Sequence, residues 1–126
     1  MNLVDSSALI EYFMDTPLGA RFATAIEQRD KLIVPTIVIY EVTKRIRTQL
    51  GKDTSDTVLA ELLATNVVAL DAKLACSASR ISTDHKLAMA DAIIYATARH
   101  YDATLWTQDE HFNGLPGVRY FPKTST

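Results

Sequence analysis

Four carboxylates stand in this chain where carboxylates are expensive to keep. Asp91 lies in a segment whose apolar residues Leu87, Ala90, Ile94, Ala98 and Tyr101 recur at helical spacing. It falls four residues after Leu87 and three before Ile94, so it shares the apolar stripe and not the polar face. An unpaired buried carboxylate must be compensated or take up a proton, and the neighbouring helical positions, Met89, Ala92, Tyr95 and Ala98, hold no base. Glu41 shows the same trait between Val38 and Val42, with Arg45 four residues on as an alternative ion-pair partner. Asp5 follows Leu3-Val4, and Asp109 follows Leu105-Trp106-Thr107-Gln108, each where a strand-like run ends. Taken singly, either reads as well as a helix cap. Taken together, they form an acidic cluster if the strands share a sheet. Two carboxylates about 4 Å apart repel by roughly 4 kcal/mol at an effective dielectric of about 20. Grouped acids therefore need a cation. Carboxylate and water oxygens, with no cysteine pair and only scattered His85, His100 and His111 read as surface residues, favour Mg²⁺ or Mn²⁺ over zinc. The commonest use of such a site is phosphoryl chemistry, which points to a nuclease or a phosphatase.

The elements that must position these acids follow from periodicity. Leu3-Val4 reads as a strand, and the spacing of Ala8, Leu9, Ile10, Phe13 and Met14 predicts a helix after it. Pro17 suits the first turn of a second helix, carrying Phe22, Ala25 and Ile26 and ending near Asp30. Leu32 to Val34 is a strand, and Thr36 is expected to cap a helix that runs to Leu50 and stops at Gly51. Asp53 to Asp56 offers a further capped start, with Asn66 closing that helix, and Val67 to Leu70 reads as a buried strand. Asp71 caps Ala72 to Ile81, a helix spans His85 to Tyr101, and strands follow at Ala103 to Thr107 and Val118 to Phe121. Trp106 and Tyr101 are expected in the core. Strands separated by helices require crossover connections, hence an α/β fold with a mainly parallel sheet covered on both faces. Such sheets put their sites at the carboxyl ends of strands, near a switch in strand order.

Composition is consistent with one domain over residues 1–126: 48% of residues are hydrophobic and 22% charged, without repeats or low-complexity tracts. The single cysteine, Cys76, reads as a small buried apolar residue and fits a reducing cytoplasm. No apolar run approaches the roughly 20 residues of a membrane span. The first residues lack the basic start and apolar core of a secretory signal, so the mature chain is expected to begin here. Thirteen basic against fifteen acidic residues give a formal charge of -2, which by itself does not invite nucleic acid.

The residues around the acids resemble those of a known family. Val4-Asp5-Ser6-Ser7-Ala8-Leu9-Ile10 is similar to the opening motif of PIN-domain ribonucleases, and Val34-Pro35-Thr36 with Glu41 to their second. The run from Leu87 through Asp91 to Ala98 resembles their third, and Thr107-Gln108-Asp109-Glu110-His111-Phe112 their fourth. Order, spacing and length match over nearly the whole chain, closest to the small VapC-type toxins of toxin–antitoxin pairs. The resemblance implies a PIN-like α/β/α sandwich and an acidic site of Asp5, Glu41, Asp91 and Asp109, with Asp5 and Asp91 the firmest metal ligands. It also implies Ser7 and Thr107 as polar residues orienting carboxylates or water, and Mg²⁺- or Mn²⁺-dependent endonucleolytic cleavage of RNA leaving a 5′-phosphate. Implied partners are an RNA substrate, a cognate antitoxin whose tail covers the acidic groove, and a second copy of the chain. The amphipathic segments Pro17 to Asp30 and Thr36 to Leu50 are expected to wall that groove, with Phe22, Ile26 and Ile39 among its apolar residues. Lys44, Arg45, Arg47, Lys73, Arg80 and Lys86 are candidates to touch the RNA backbone, which would reconcile the mild negative charge with a phosphate-rich substrate. The competing readings are an aspartyl-phosphate phosphatase built on Asp5, which expects a second Asp where Ser7 stands, a receiver-like signalling domain, and a PIN scaffold that does not cleave.

Overall fold

The computed structural model of the chain describes residues 1–123. Five strands, β1 (Asn2–Val4), β2 (Leu32–Pro35), β3 (Asn66–Val68), β4 (Thr104–Thr107) and β5 (Val118–Tyr120), form one sheet of order β3-β2-β1-β4-β5. Every neighbouring pair is parallel. Among the described residues seven helices connect them: α1 (Ser6–Phe13), α2 (Pro17–Ala20), α3 (Ala23–Glu27), α4 (Thr36–Leu50), α5 (Lys52–Leu63), α6 (Ala72–His85) and α7 (Met89–His100). Successive side chains of a strand point to opposite faces, yet Leu3, Val4, Ile33 and Val34 are all buried. Both faces of the central strands are therefore covered, as the alternation of strands and helices predicts. The strand order reverses between β1 and β4, which places the switch point beside Asp5 and Asp109.

Several boundaries differ from expectation. The helix expected from Pro17 to Asp30 is broken into α2, α3 and a 3-10 turn at Arg29–Lys31. Thr16 caps a single turn by accepting the Gly19 N–H at 3.1 Å, and the chain then bends to bury Phe22 completely. The helix expected from His85 begins instead at Met89, because α6 continues to His85 and closes on a left-handed Lys86 (φ 56°). The Leu87 N–H bonds back to Ser82 O at 3.2 Å, and Leu87 is buried from the connection, so its apolar spacing continues across a break. This shift puts Asp91 in the first turn of α7, where the helix dipole favours a negative charge.

Pro35, not Thr36, holds the N-cap of α4, and the Thr36 hydroxyl instead accepts the Leu70 N–H at 3.4 Å. Gly51 (φ 93°) both stops α4 and starts α5, leaving Asp53 inside the first turn, while Asn66 opens β3. That strand is an edge strand with Val67 39% exposed, not a buried one, since it has a neighbour on one side only. Cys76 is exposed, with Arg80 Nη2 donating to its sulfur at 3.3 Å, and Tyr101 is 44% exposed outside the core. Trp106 is half-buried, stacked on Phe121 at 5.8 Å. No helix among the described residues is long and apolar enough to cross a membrane.

Candidate active site

Asp5 is the residue immediately beyond β1, and its N–H still donates to Trp106 O of β4 at 3.1 Å. Its side chain caps α1: Oδ1 accepts the Ala8 N–H at 3.0 Å and the Ser7 hydroxyl at 3.1 Å. Oδ2 accepts the Thr107 hydroxyl. The residue is only 3% exposed. Burial pushes its carboxyl above the usual carboxylate range against the pull of these hydrogen bonds, and the charge of Asp109 pushes further in the same direction.

Asp109 follows β4 by two residues, and its N–H donates to Thr107 Oγ1 at 2.9 Å. Its Oδ1 accepts the His111 N–H at 2.9 Å and lies 2.8 Å from His111 Nδ1. Glu41, on α4, accepts the Ser6 hydroxyl at Oε1 at 2.5 Å. Among the described residues it makes no ion pair with Arg45. Asp91, half-buried in the first turn of α7, has its carboxyl pushed up to about 6. Burial contributes most, followed by the charges of Asp109 and Asp5, with a smaller push from Glu41 and an opposing pull from His111.

The four acids thus arrive from four different elements: the end of β1, the loop after β4, and the helices α4 and α7. They enclose, with Ser6, Ser7 and Ile94, one cavity of about 210 Å³. Among the described residues no Lys or Arg forms an ion pair with any of them. A negative cluster without Lys or Arg partners, built from hard oxygen donors and with the carboxyls of Asp5 and Asp91 both held above the usual range, is chemically suited to a divalent cation such as Mg²⁺ or Mn²⁺.

Ser7 and Thr107 both bond to Asp5, as already described. Two residues near the acids, Ser6 and His111, carry no site role in the sequence reading, which places His111 at the surface. Ser6 fixes Glu41, and His111 joins Asp109. The signal for His111 is the turn itself: an Asp that accepts the N–H two residues on forms an Asx turn, which folds that second residue back toward its carboxylate.

Two open grooves flank the acids. One, of about 500 Å³, runs from Ser6 and Glu41 along α4 past Tyr40, Lys44 and Arg45. Tyr40 is 61% exposed there, with Lys44 Nζ 5.5 Å from its ring centre. The other, of about 430 Å³, lies over Gln108, Asp109 and His111 and reaches Lys123. The groove walls differ from expectation: Phe22 and Ile26 are fully inside the core, and Ile39 is half-buried, so α4 presents Tyr40 and its basic residues instead. Arg47, Lys73, Arg80 and Lys86 are exposed but line neither groove.

A family model described as PIN domain matches residues 3–118. Among solved structures, a toxin–antitoxin complex from Klebsiella pneumoniae superposes with a TM-score of 0.83 at 23% identity, covering 94% of this chain and 96% of that one. VapC20 of Mycobacterium tuberculosis, described as a sarcin–ricin-loop-cleaving toxin, superposes at 0.75 with 18% identity over 94% and 99% of the two chains. The PAE2754 protein of Pyrobaculum aerophilum superposes at 0.68 with 26% identity over 94% and 89%. A search of the curated proteins finds no match.

Proposed function

The chain belongs to the PIN-domain family, and on that premise we propose that it is a divalent-metal-dependent endoribonuclease of the VapC type, the toxin of a toxin–antitoxin pair. The observation that carries the reading is the convergence of Asp5, Glu41, Asp91 and Asp109 on one small cavity at the switch point of a parallel sheet. Structural relatives described as a toxin–antitoxin complex and as a sarcin–ricin-loop-cleaving VapC toxin support the assignment of class.

Asp5, Asp91, Asp109 and Glu41 would hold Mg²⁺ or Mn²⁺. Such an ion supplies Lewis acidity toward a phosphodiester and lowers the pKa of water. The protein's part is to present its carboxylates already oriented. Ser7 and Ala8 fix one oxygen of Asp5 and Thr107 the other, while Ser6 fixes Oε1 of Glu41. Glu41, which lines both the acidic cavity and the groove along α4, or Asp109 would take the proton from an attacking water. Water then adds to phosphorus as the bond to the 3′ oxygen breaks; that oxygen takes up a proton and leaves as a 3′-hydroxyl, and the phosphate stays on the 5′ oxygen. Lys44 and Arg45 line the groove that leads away from Glu41 and are placed to meet substrate phosphates.

The same reading takes residues 1–126 as a single PIN-like domain that dimerises with a second copy, works in the cytoplasm, and is silenced by an antitoxin tail lying over the acidic groove. The phosphatase alternative lacks its second acid, because Ser7 occupies that place and donates to Asp5.

The test is incubation of the partner-free protein with a mixed RNA pool in Mg²⁺ or Mn²⁺ and in chelator. Metal-dependent cleavage is expected, and Asp5→Asn and Asp91→Asn should each abolish it while circular dichroism stays native. Intact RNA with the wild-type protein in both metals overturns the reading.

A further inference from the structure

We infer that His111 is a nitrogen ligand to a cation held together with Asp91 and Asp109. The inference rests on the metal-site reading above and extends it beyond carboxylates. His111, Asp91 and Asp109 each offer one ligand atom, and these atoms all lie within 4.8 Å of one another. Donors on opposite sides of one ion with bonds of about 2.1 Å stand about 4.2 Å apart, so small side-chain rotations bring all three onto a single ion.

The position of His111 is imposed by its neighbours. Phe112 is completely buried, and its N–H bonds to Asp109 O at 3.2 Å, which pins the far end of the turn. Asp109 Oδ1 accepts the His111 N–H at 2.9 Å, which pins the near end. The imidazole between them is left on the side of Asp109, with Nδ1 2.8 Å from Oδ1. The ring is otherwise exposed and, among the described residues, packs on no aromatic partner, whereas His85 stands edge-on to Tyr95 and His100 edge-on to Tyr101.

A nitrogen donor changes which ion the site prefers. Mg²⁺ favours oxygen and keeps its waters, while affinity for a nitrogen donor rises along the first-row divalent series that begins at Mn²⁺. His111 thus biases the site toward Mn²⁺-like ions.

The experiment uses the full-length, metal-stripped chain and Mn²⁺ alone, read by pulsed electron paramagnetic resonance of the bound ion and by calorimetric titration. A nitrogen hyperfine coupling is expected in the wild type and should vanish in His111→Gln. The same variant should bind Mn²⁺ about tenfold more weakly, with a smaller loss for Mg²⁺. His111 is exposed, so the variant is expected to fold, and circular dichroism checks this. Nitrogen coupling that is absent from the wild type or persists in His111→Gln overturns the inference, as do equal losses for Mn²⁺ and Mg²⁺. If Mn²⁺ binds through Asp91 without nitrogen coupling, only the role of His111 falls. If the wild type binds no Mn²⁺, the carboxylate metal site falls with it.

Discussion

Thr107 donates its hydroxyl to Asp5 across the boundary between β1 and β4, and the sheet register makes this unavoidable. Val4 is paired with Trp106, so Asp5 and Thr107 are the next residues along two adjacent parallel strands. The same Thr107 oxygen accepts the Asp109 N–H at 2.9 Å. One hydroxyl therefore fixes one acid by donating and the loop of another by accepting.

Thr107→Val keeps the shape and removes both bonds. The buried Asp5 then loses a donor, which should lower stability by about 1–3 kcal/mol in urea denaturation. RNA cleavage should fall at least about tenfold through misorientation of Asp5. Thr107→Ser restores the hydroxyl and should recover most of both. Equal behaviour of the Val and Ser variants in both assays would show that the bond is dispensable.

Asp91 makes stability depend on pH in a stated direction. Its carboxyl titrates near the ordinary value of 3.8 when unfolded and at about 6 when folded. Between those values the folded chain binds the extra proton, so stability falls as pH rises through that window and stays lower above it. Asp91→Asn removes this loss. At neutral pH without metal, Tm should rise by about 4 °C, after discounting the shift for a half-exposed group. Near pH 3 the gain should disappear. An unchanged or lower Tm at neutral pH counts against mutual repulsion within the cluster.

Mn²⁺ should stabilise the wild type far more than Asp91→Asn. An ion that binds only the folded site stabilises it by mass action, so wild-type Tm should climb with Mn²⁺ concentration. Asp91→Asn should show a much smaller rise. Parallel increases in both would place the ion elsewhere.

Lys44 and Arg45 line the groove beside Glu41, and phosphate contacts carry a salt signature. In an Asp91→Asn background that binds RNA without cutting it, Lys44→Ala and Arg45→Ala should weaken binding. Each should also reduce the slope of log Kd against log salt by about 1. A slope left unchanged in both would remove this groove from the substrate path.

Gly19 is a packing constraint away from the chemistry. A β-carbon there would lie 2.3 Å from backbone atoms of Glu11 and Tyr12 in α1, and backbone cannot swing aside. Gly19→Ala should cost about 3 kcal/mol in chemical denaturation. A loss below about 0.5 kcal/mol would mean that α2 shifts freely on α1.

Much of the architecture is legible along the chain because periodicity and short-range capping are local properties. Asp71 caps α6 at 2.8 Å, Gly51 stops α4, and the alternation of strands with helices dictates a parallel sheet. The missed boundaries fail for an equally physical reason. Leu87 continues the apolar spacing of α7 while lying outside it, since burial selects for apolar character and not for helical backbone. Val67 looks like an interior strand residue, but an apolar run does not reveal whether a second neighbour exists to cover it.

The sequence alone singles out the four suspect acids, because a carboxylate on an apolar helical stripe or at a strand end is anomalous within a window of a few residues. It also pointed to oxygen-ligand metal chemistry, through the absence of cysteine pairs and of nearby bases. Tertiary structure decided what those acids are to one another. The β1–β4 register sets Thr107 against Asp5, the start of α7 at Met89 turns Asp91 toward them, and Ser6 holds Glu41 from a neighbouring helix. It also decided that Phe22 belongs to the core and not to a groove. The Thr107–Asp5 and Ser6–Glu41 contacts join residues 102 and 35 apart along the chain, set by strand pairing and side-chain packing, and no local pattern encodes them.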